Sequence, residues 1–423
     1  MHFISTRDAT HRATLSETLT RGLAPDGGLY VPADFPSVDP RDAPDGSLPA
    51  IAAHMLRPFF AGDPLADRLD TLCQDTFSFP VPLRDIGQQT AVLELFHGPT
   101  AAFKDVGARF LASALSHLNE GADQPLTILV ATSGDTGAAV AAAFHEKPNV
   151  EVVVCYPKGR VSDRQERQLT GWDQNVRTVA VAGDFDDCQR LVKASFQDDV
   201  LSGEKRLSSA NSINIGRLLP QLTYYAAASR WYAARHGAVP GFIVPSGNLG
   251  NAVAALYARA MGSPMRPVVM ATNANRSVTD FLDDGTWNPT PTQETLATAM
   301  DVGDPSNMER LRHHWPTIEA VRAEVDAHLV TDEAIEHEIR RGPSTWDTIW
   351  DPHTATAAAV RARVGGPHWI LAATAHPAKF DTVVEPLIGE TVPVPDALAA
   401  VMARSTPAPV IDPTMEAFRR FVL

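Results

Sequence analysis

Apolar positions along the chain fall into short continuous runs, separated by small-polar turns and by segments whose apolar residues recur at helical intervals. Leu126-Thr-Ile-Leu-Val130 is a run of the first kind and predicts a buried strand. The loop at Ser133 follows, and then an alanine-rich helix through Phe144. The unit repeats as a strand over Glu151 to Tyr156, an amphipathic helix near Val161 to Leu169, a strand over Val176 to Val181 and a helix from about Asp184 to Gln197. A long helical pattern from about Ile215 to Arg235 opens a second set. There Phe242-Ile-Val244 predicts a strand, Ser246 to Asn251 its loop, Ala252 to Met261 a helix and Val268-Val-Met270 the next strand. Such alternation predicts βαβ units and mostly parallel sheets covered by helices.

The predicted class is therefore α/β, with two doubly wound, mostly parallel-sheet domains flanking a crevice. An N-terminal subdomain is expected over 1–82, a smaller α/β domain over 83–215 and a larger one over 216–423. Ala33 to Pro49, rich in Pro and Asp, reads as a surface loop, as does Gly285 to Thr295. Met300 to Arg312 is expected to line or cover the site. Ligands of open α/β sheets bind outside the carboxyl ends of the strands, where both glycine loops of this chain fall.

Composition narrows the function. A chain of 423 residues exceeds what one hydrophobic core usually serves. A net charge of −14 argues against nucleic-acid and polybasic membrane partners, so an anionic substrate must be held by a local cluster. Cys73, Cys155 and Cys188 show no C-x-x-C spacing and leave an odd count, which favours a reducing compartment over a disulfide framework or a zinc site. No secretory signal and no bilayer-length apolar run is visible, and the expectation is a cytoplasmic protein, monomer or homodimer, with no metal.

The candidate chemistry starts at Lys104, in His97-Gly-Pro-Thr-Ala-Ala-Phe-Lys-Asp105. A desolvated lysine amine can form a Schiff base and then shuttle protons. Two loops downstream, Ser133-Gly-Asp-Thr-Gly137 and Ser246-Gly-Asn-Leu-Gly250, can grip oxyanions through backbone N–H groups at helix N-termini. A lone lysine is usually a surface cation, here one that could pair with Asp105, and either loop alone is usually a mere turn; together they suggest pyridoxal phosphate. Neither loop matches a dinucleotide fingerprint or a Walker sequence. Ser246, Gly247, Asn248, Leu249, Gly250 and Asn251 suit a cofactor phosphate, so side chains at Gly247 and Gly250 are expected to be poorly tolerated. The hydroxyls and amides of Thr132, Ser133 and Thr136 suit a substrate α-carboxylate, and Asp135 could equally be a helix cap. Asn211, Ser212, Asn214 and Arg217 open a helix as a polar cluster fitted to a phosphate, although Arg217 alone would read as a surface cation. The fourteen histidines show no convincing ligand spacing, and His353 and His376 receive no role.

The order of these segments resembles the threonine synthase family, within the fold type II group of pyridoxal phosphate enzymes. The likeness also includes Phe3-Ile-Ser-Thr-Arg7, Gly22 to Pro32, Ser209 to Gln221, Ala299 to Arg310, Asp351-Pro-His-Thr-Ala355 and Ala373-Thr-Ala-His-Pro-Ala-Lys-Phe380, so it runs nearly end to end. The resemblance implies that Lys104 carries pyridoxal 5′-phosphate, that the 246–251 loop takes the cofactor phosphate, and that Asp135 lies near the cofactor's 3′-oxygen. It implies further that Thr374 sits beneath the ring nitrogen, and that the 211–217 cluster grips the phosphate of O-phospho-L-homoserine. The implied reaction is that substrate plus water giving L-threonine and phosphate. A related phospholyase releasing phosphate, ammonia and a 2-oxo acid stays open at this point, as does a non-enzymatic phosphometabolite-binding protein.

Overall fold

The alternation is present in a computed structural model of the chain, which describes residues 1–404 and 406–423. One sheet has five parallel strands in the spatial order Val410–Ile411, Val176–Val181, Val150–Pro157, Leu126–Ala131 and Arg206–Ser209. The larger has six, in the order Val325–Leu329, Val268–Thr272, Gly241–Pro245, Trp369–Ala373, Thr90–Glu94 and Leu83–Asp85. Only the last pair is antiparallel. Leu126–Ala131, Gly241–Pro245 and Trp369–Ala373 are buried along their whole length, which is why they read as unbroken apolar runs rather than as alternation.

The N-terminal subdomain holds a small antiparallel sheet of Arg12–Ala13, Phe3–Ser5 and Tyr30–Pro32. The helix Ile215–His236 ties it to the rest, packing against the helices Leu48–Phe60, Lys104–Leu118 and Gly250–Ala260. One core runs continuously from Phe3, Leu19 and Phe59 through Leu219 and Tyr225 to Val253.

Sheet membership departs from the expected boundaries 83–215 and 216–423 in two places. Thr90–Glu94 joins the larger sheet, in register with Trp369–Ala373, although it precedes Lys104. The chain end returns to the smaller sheet: Val410–Ile411 pairs with Val176–Val181, and Phe418 and Val422 enter a core with Cys188 and Leu191. Both pairings join residues far apart in sequence, which local periodicity does not encode.

Five segments leave the carboxyl ends of strands and converge: 95–103, 132–134, 210–214, 246–249 and Thr374. Among the described residues no helix is long and apolar enough to cross a membrane.

Candidate active site

Lys104 opens the helix Lys104–Leu118 after a turn fixed from two sides. Toward the larger sheet, the Phe103 amide donates to Thr374 O (2.9 Å) and the His376 amide to Ala101 O (3.0 Å). Inside the turn, Asp105 accepts from the Thr100 amide (2.9 Å) and hydroxyl (2.7 Å), and a Cβ on Gly98 would lie 2.5 Å from Asp105 Oδ2. Asp105 therefore shapes the turn, and the carboxylate that Lys104 faces is Asp135, with Nζ 3.6 Å from Oδ2. The Lys104 side chain is 15% exposed. Burial lowers its pKa; Asp135 opposes the shift, while Lys379 and Arg217 add to it.

Asp135 is the first residue of the helix Asp135–Phe144, whose N-cap is Gly134 at φ 142°. Burial alone would raise its carboxyl, but Lys379 and Lys104 outweigh that and hold it well below the usual range. Of the hydroxyls expected beside it, Thr132 Oγ1 is consumed in the loop, accepting from the amides of Gly134 (3.0 Å) and Gly137 (2.9 Å). Ser133 is exposed, Thr136 half-buried, and both hydroxyls are left available for a ligand.

In the second loop Leu249 takes the left-handed conformation (φ 61°), a strained choice for a branched side chain. The N–H groups of Gly247 through Ala252, in this turn and at the start of the helix Gly250–Ala260, meet no acceptor among the described residues. Gly247 packs against the covering segment: a Cβ there would lie 2.6 Å from Met300 Cα. Gly250 has ordinary space, with Asn307 Nδ2 at 3.5 Å. Ser246 Oγ is turned back to Val244 O (2.8 Å). Asn251 Oδ1 accepts from Tyr224 and Tyr225, leaving its Nδ2 buried without a partner.

Hydrogen bonds join these loops to the 211–217 cluster. Asn248 Nδ2 donates to Ser212 Oγ (2.6 Å), and Asn211 Nδ2 to Ala131 O (3.4 Å). Asn211 Oδ1 and Arg217 Nε are buried and have no partner among the described residues, and burial pushes the Arg217 guanidinium down to about 10. Asn214 differs from its neighbours. Its amide donates to Leu19 O (2.9 Å) and Ser209 O (3.2 Å) and its Oδ1 accepts from the Gly216 amide (2.9 Å), so it caps the helix and has nothing left for a ligand. Thr374 is buried, its amide donating to Thr354 Oγ1 (3.2 Å).

Three residues without an expected role complete the surroundings. Lys379 lies 2.9 Å from Asp135 Oδ1 and donates to Thr100 O (2.7 Å). His353 is clamped between Asp351 Oδ1 (2.8 Å from Nδ1) and the Ala299 amide, which donates to Nε2 (3.0 Å); it buttresses the segment over Gly247. Arg310 donates to Tyr30 O (3.1 Å), Ser212 O (3.3 Å), Ile213 O (2.5 Å) and Asn307 Oδ1 (2.5 Å). Lys379, His353 and Arg310 all stood inside the segments that carry the family resemblance, and that was the signal available for them.

A partly desolvated amine beside a carboxylate, a ring of unpaired N–H groups at a helix start and orphaned polar atoms at Asn251, Asn211 and Arg217 fit pyridoxal 5′-phosphate and an anionic substrate. The chain matches the family models described as pyridoxal-phosphate dependent enzyme over 81–368, threonine synthase N terminus over 2–77 and threonine synthase C-terminal over 354–422. It is 40% identical over 411 residues to the threonine synthase of Escherichia coli, covering 94% of each chain, and 33% identical to that of Pseudomonas aeruginosa, covering 100% of this chain and 98% of the other. It superposes on the crystal structure of the E. coli threonine synthase with a TM-score of 0.88 at 36% identity, covering 100% of this chain and 99% of that one. On the pyridoxal-phosphate-bound threonine synthase of Brucella melitensis the score is 0.92 at 31% identity, covering 100% and 98%. The chain belongs to the threonine synthase family of pyridoxal-phosphate-dependent enzymes.

Proposed function

We propose that Lys104 carries the cofactor attachment and the proton transfers in the reaction of this family, O-phospho-L-homoserine and water giving L-threonine and inorganic phosphate. The observation that carries the assignment is the position of its amine, 3.6 Å from Asp135 where the converging loops meet. When bound, pyridoxal 5′-phosphate supplies an electron sink conjugated to the substrate Cα. The N–H groups of Gly247 to Ala252 and Asn251 Nδ2 would hold its phosphate; Asp135 is assigned to its 3′-oxygen and Thr374 to its ring nitrogen. Ser133 and Thr136 would bind the substrate carboxylate at the helix N-terminus. Asn211, Ser212 and Arg217 would bind the substrate phosphate, with Asn214 holding their backbone.

Lys104 takes the proton from Cα and, after exchange with solvent, delivers one to Cα at the end. Between those events one proton leaves Cβ, phosphate leaves Cγ, a proton is delivered to Cγ and water adds its hydroxyl to Cβ. Two protons from carbon and one from water are released; Cγ, Cα and the departing phosphate take them up. We place the reaction in the cytoplasm, a setting supported by three unpaired, buried cysteines.

Running the reaction in heavy water while assaying phosphate, threonine and 2-oxobutyrate tests this route. Deuterium is expected at Cα and in the methyl group of threonine, with partial methyl labelling where Lys104 returns an unexchanged proton. Threonine unlabelled at both positions would refute the proton path, and 2-oxobutyrate as the main product would favour the phospholyase.

A further inference from the structure

The ion pair between Lys379 and Asp135 takes no part in the steps assigned above. Lys379 lies in the turn Pro377–Phe380 with no exposure. The turn is stitched to the segment that presents Lys104. The His376 amide donates to Ala101 O (3.0 Å), His376 Nδ1 accepts from the Ala378 amide (3.2 Å), and the Lys379 amide donates to His376 O (3.1 Å).

One carboxylate thus faces two amines, each on its own oxygen, and cannot neutralise both. Arg217 on the side of Lys104, His353 on the side of Asp135, and Asp105 and His376 on the side of Lys379 are the other ionisable groups facing the cluster. His353 is committed to Asp351 and to the Ala299 amide. Asp105 offsets Arg217; beyond that pair an excess buried positive charge is costly, and one proton lost from either amine removes it. Geometry selects the amine. Lys379 has the shorter ion-pair contact, 2.9 Å, a hydrogen-bond acceptor in Thr100 O and a side chain with no exposure. Lys104 has the longer contact, 3.6 Å, and an opening through which a proton can leave.

We propose that Lys379 is a positioning residue that occupies Asp135 as its counter-ion, so that the Lys104 amine is left as the free base needed for cofactor attachment and proton transfer. The inference rests on the role proposed for Lys104, but its test reads the amine itself and not turnover. The direction in which burial, Lys379 and Arg217 together move Lys104 agrees with it.

The test is the pH dependence of Lys104 acylation by acetic anhydride in the cofactor-free full-length chain, quantified on the Lys104 peptide by mass spectrometry. In Lys379→Met the carboxylate is left to Lys104 alone, and the titration midpoint should rise by about one pH unit or more, or roughly tenfold lower reactivity at neutral pH. Lys379→Arg retains the charge and should stay near wild type. The visible absorption of the cofactor-loaded enzyme should show the same upward move in Lys379→Met. A folded Lys379→Met in which neither midpoint moves overturns the proposal and leaves Lys379 a structural tie. Should that variant not fold, the order of titration in the wild-type chain decides, read from the Cε carbon resonances of the two lysines. Lys104 must lose its proton at lower pH than Lys379, and the reverse order overturns the proposal.

Discussion

Gly247 and Gly250 occupy the same loop, yet substitution by alanine should affect them differently. A Cβ at Gly247 would lie 2.6 Å from Met300 Cα and 3.1 Å from its carbonyl carbon, well inside contact distance. Met300 cannot easily retreat: its amide donates to Ala297 O (2.8 Å), the Ala299 amide is held by His353 (3.0 Å), and Asp301 accepts from Thr295 Oγ1 (2.7 Å) and Asn273 Nδ2 (2.7 Å). Overpacking against a fixed backbone costs about 1–3 kcal/mol, so Gly247→Ala should lose about that much stability without the cofactor. Gly250→Ala meets its nearest atoms at 3.5 and 3.9 Å, has no positive φ and begins a helix, where alanine is favoured. Its cofactor-free stability should be unchanged or slightly raised. Chemical denaturation of both variants, followed by titration with pyridoxal 5′-phosphate, separates the effects. Weakened cofactor binding in a fully stable Gly250→Ala would report a phosphate approaching the backbone. Equal destabilisation by the two substitutions would refute the steric argument, and unaltered cofactor affinity in bulky Gly250 variants would refute the loop's assignment to the cofactor phosphate.

Arg217→Ala should weaken substrate binding by about 1.5–3 kcal/mol, the worth of a charge-assisted hydrogen bond, and leave cofactor binding nearly unchanged; the reverse pattern in binding titrations would mean the two anion sites are exchanged. Asn214→Ala should lower stability by about 1–3 kcal/mol through its lost cap and unpaired carbonyls, with the substrate KM little altered, as measured by denaturation and steady-state kinetics. Burial pushes the Asp301 carboxyl from 3.8 up to about 6. Because the folded state then holds this proton more tightly than the unfolded chain, its contribution to stability is lost as pH rises from 3.8 through about 6. Asp301→Asn should flatten that part of the pH–stability curve, and an unchanged curve would contradict the assignment.

The parts legible in the sequence were those whose information is local. The strands Leu126–Ala131 and Gly241–Pro245 announce themselves because both faces are buried, and the loops after them because serine, glycine and asparagine follow an apolar run. Hidden parts depend on distant partners. The Thr90–Glu94 strand belongs to the larger sheet only through Trp369–Ala373, and Asp105 looks like the partner of Lys104 until the turn folds it onto Thr100. Thr132 and Asn214 have the residue types expected of ligands, but their polar atoms are spent on backbone groups.

Arg310 and Asn214 explain what the N-terminal subdomain contributes to a site it does not line. Arg310 is a fully buried cation with no carboxylate bonded to it among the described residues, and burial lowers it to about 10; four neutral oxygens stand in for a counter-ion. One of those oxygens belongs to Tyr30, two to Ser212 and Ile213 inside the cluster proposed to take the substrate phosphate, and one to Asn307, whose amide in turn donates to Asn248 O (2.9 Å). Asn214 makes the parallel tie from the cluster to Leu19. A buried charge satisfied only by carbonyls and an amide tolerates little displacement of any of them, because each lost bond leaves the charge less solvated. The subdomain thereby fixes the backbone of Ser212 and Ile213 from behind while the side chains of Asn211 and Arg217 keep unpaired atoms for a ligand. Separating the subdomain from this network should damage the proposed phosphate recognition before it touches Lys104, whose segment is anchored instead to Thr374 and His376, beyond the carboxyl end of the strand Trp369–Ala373.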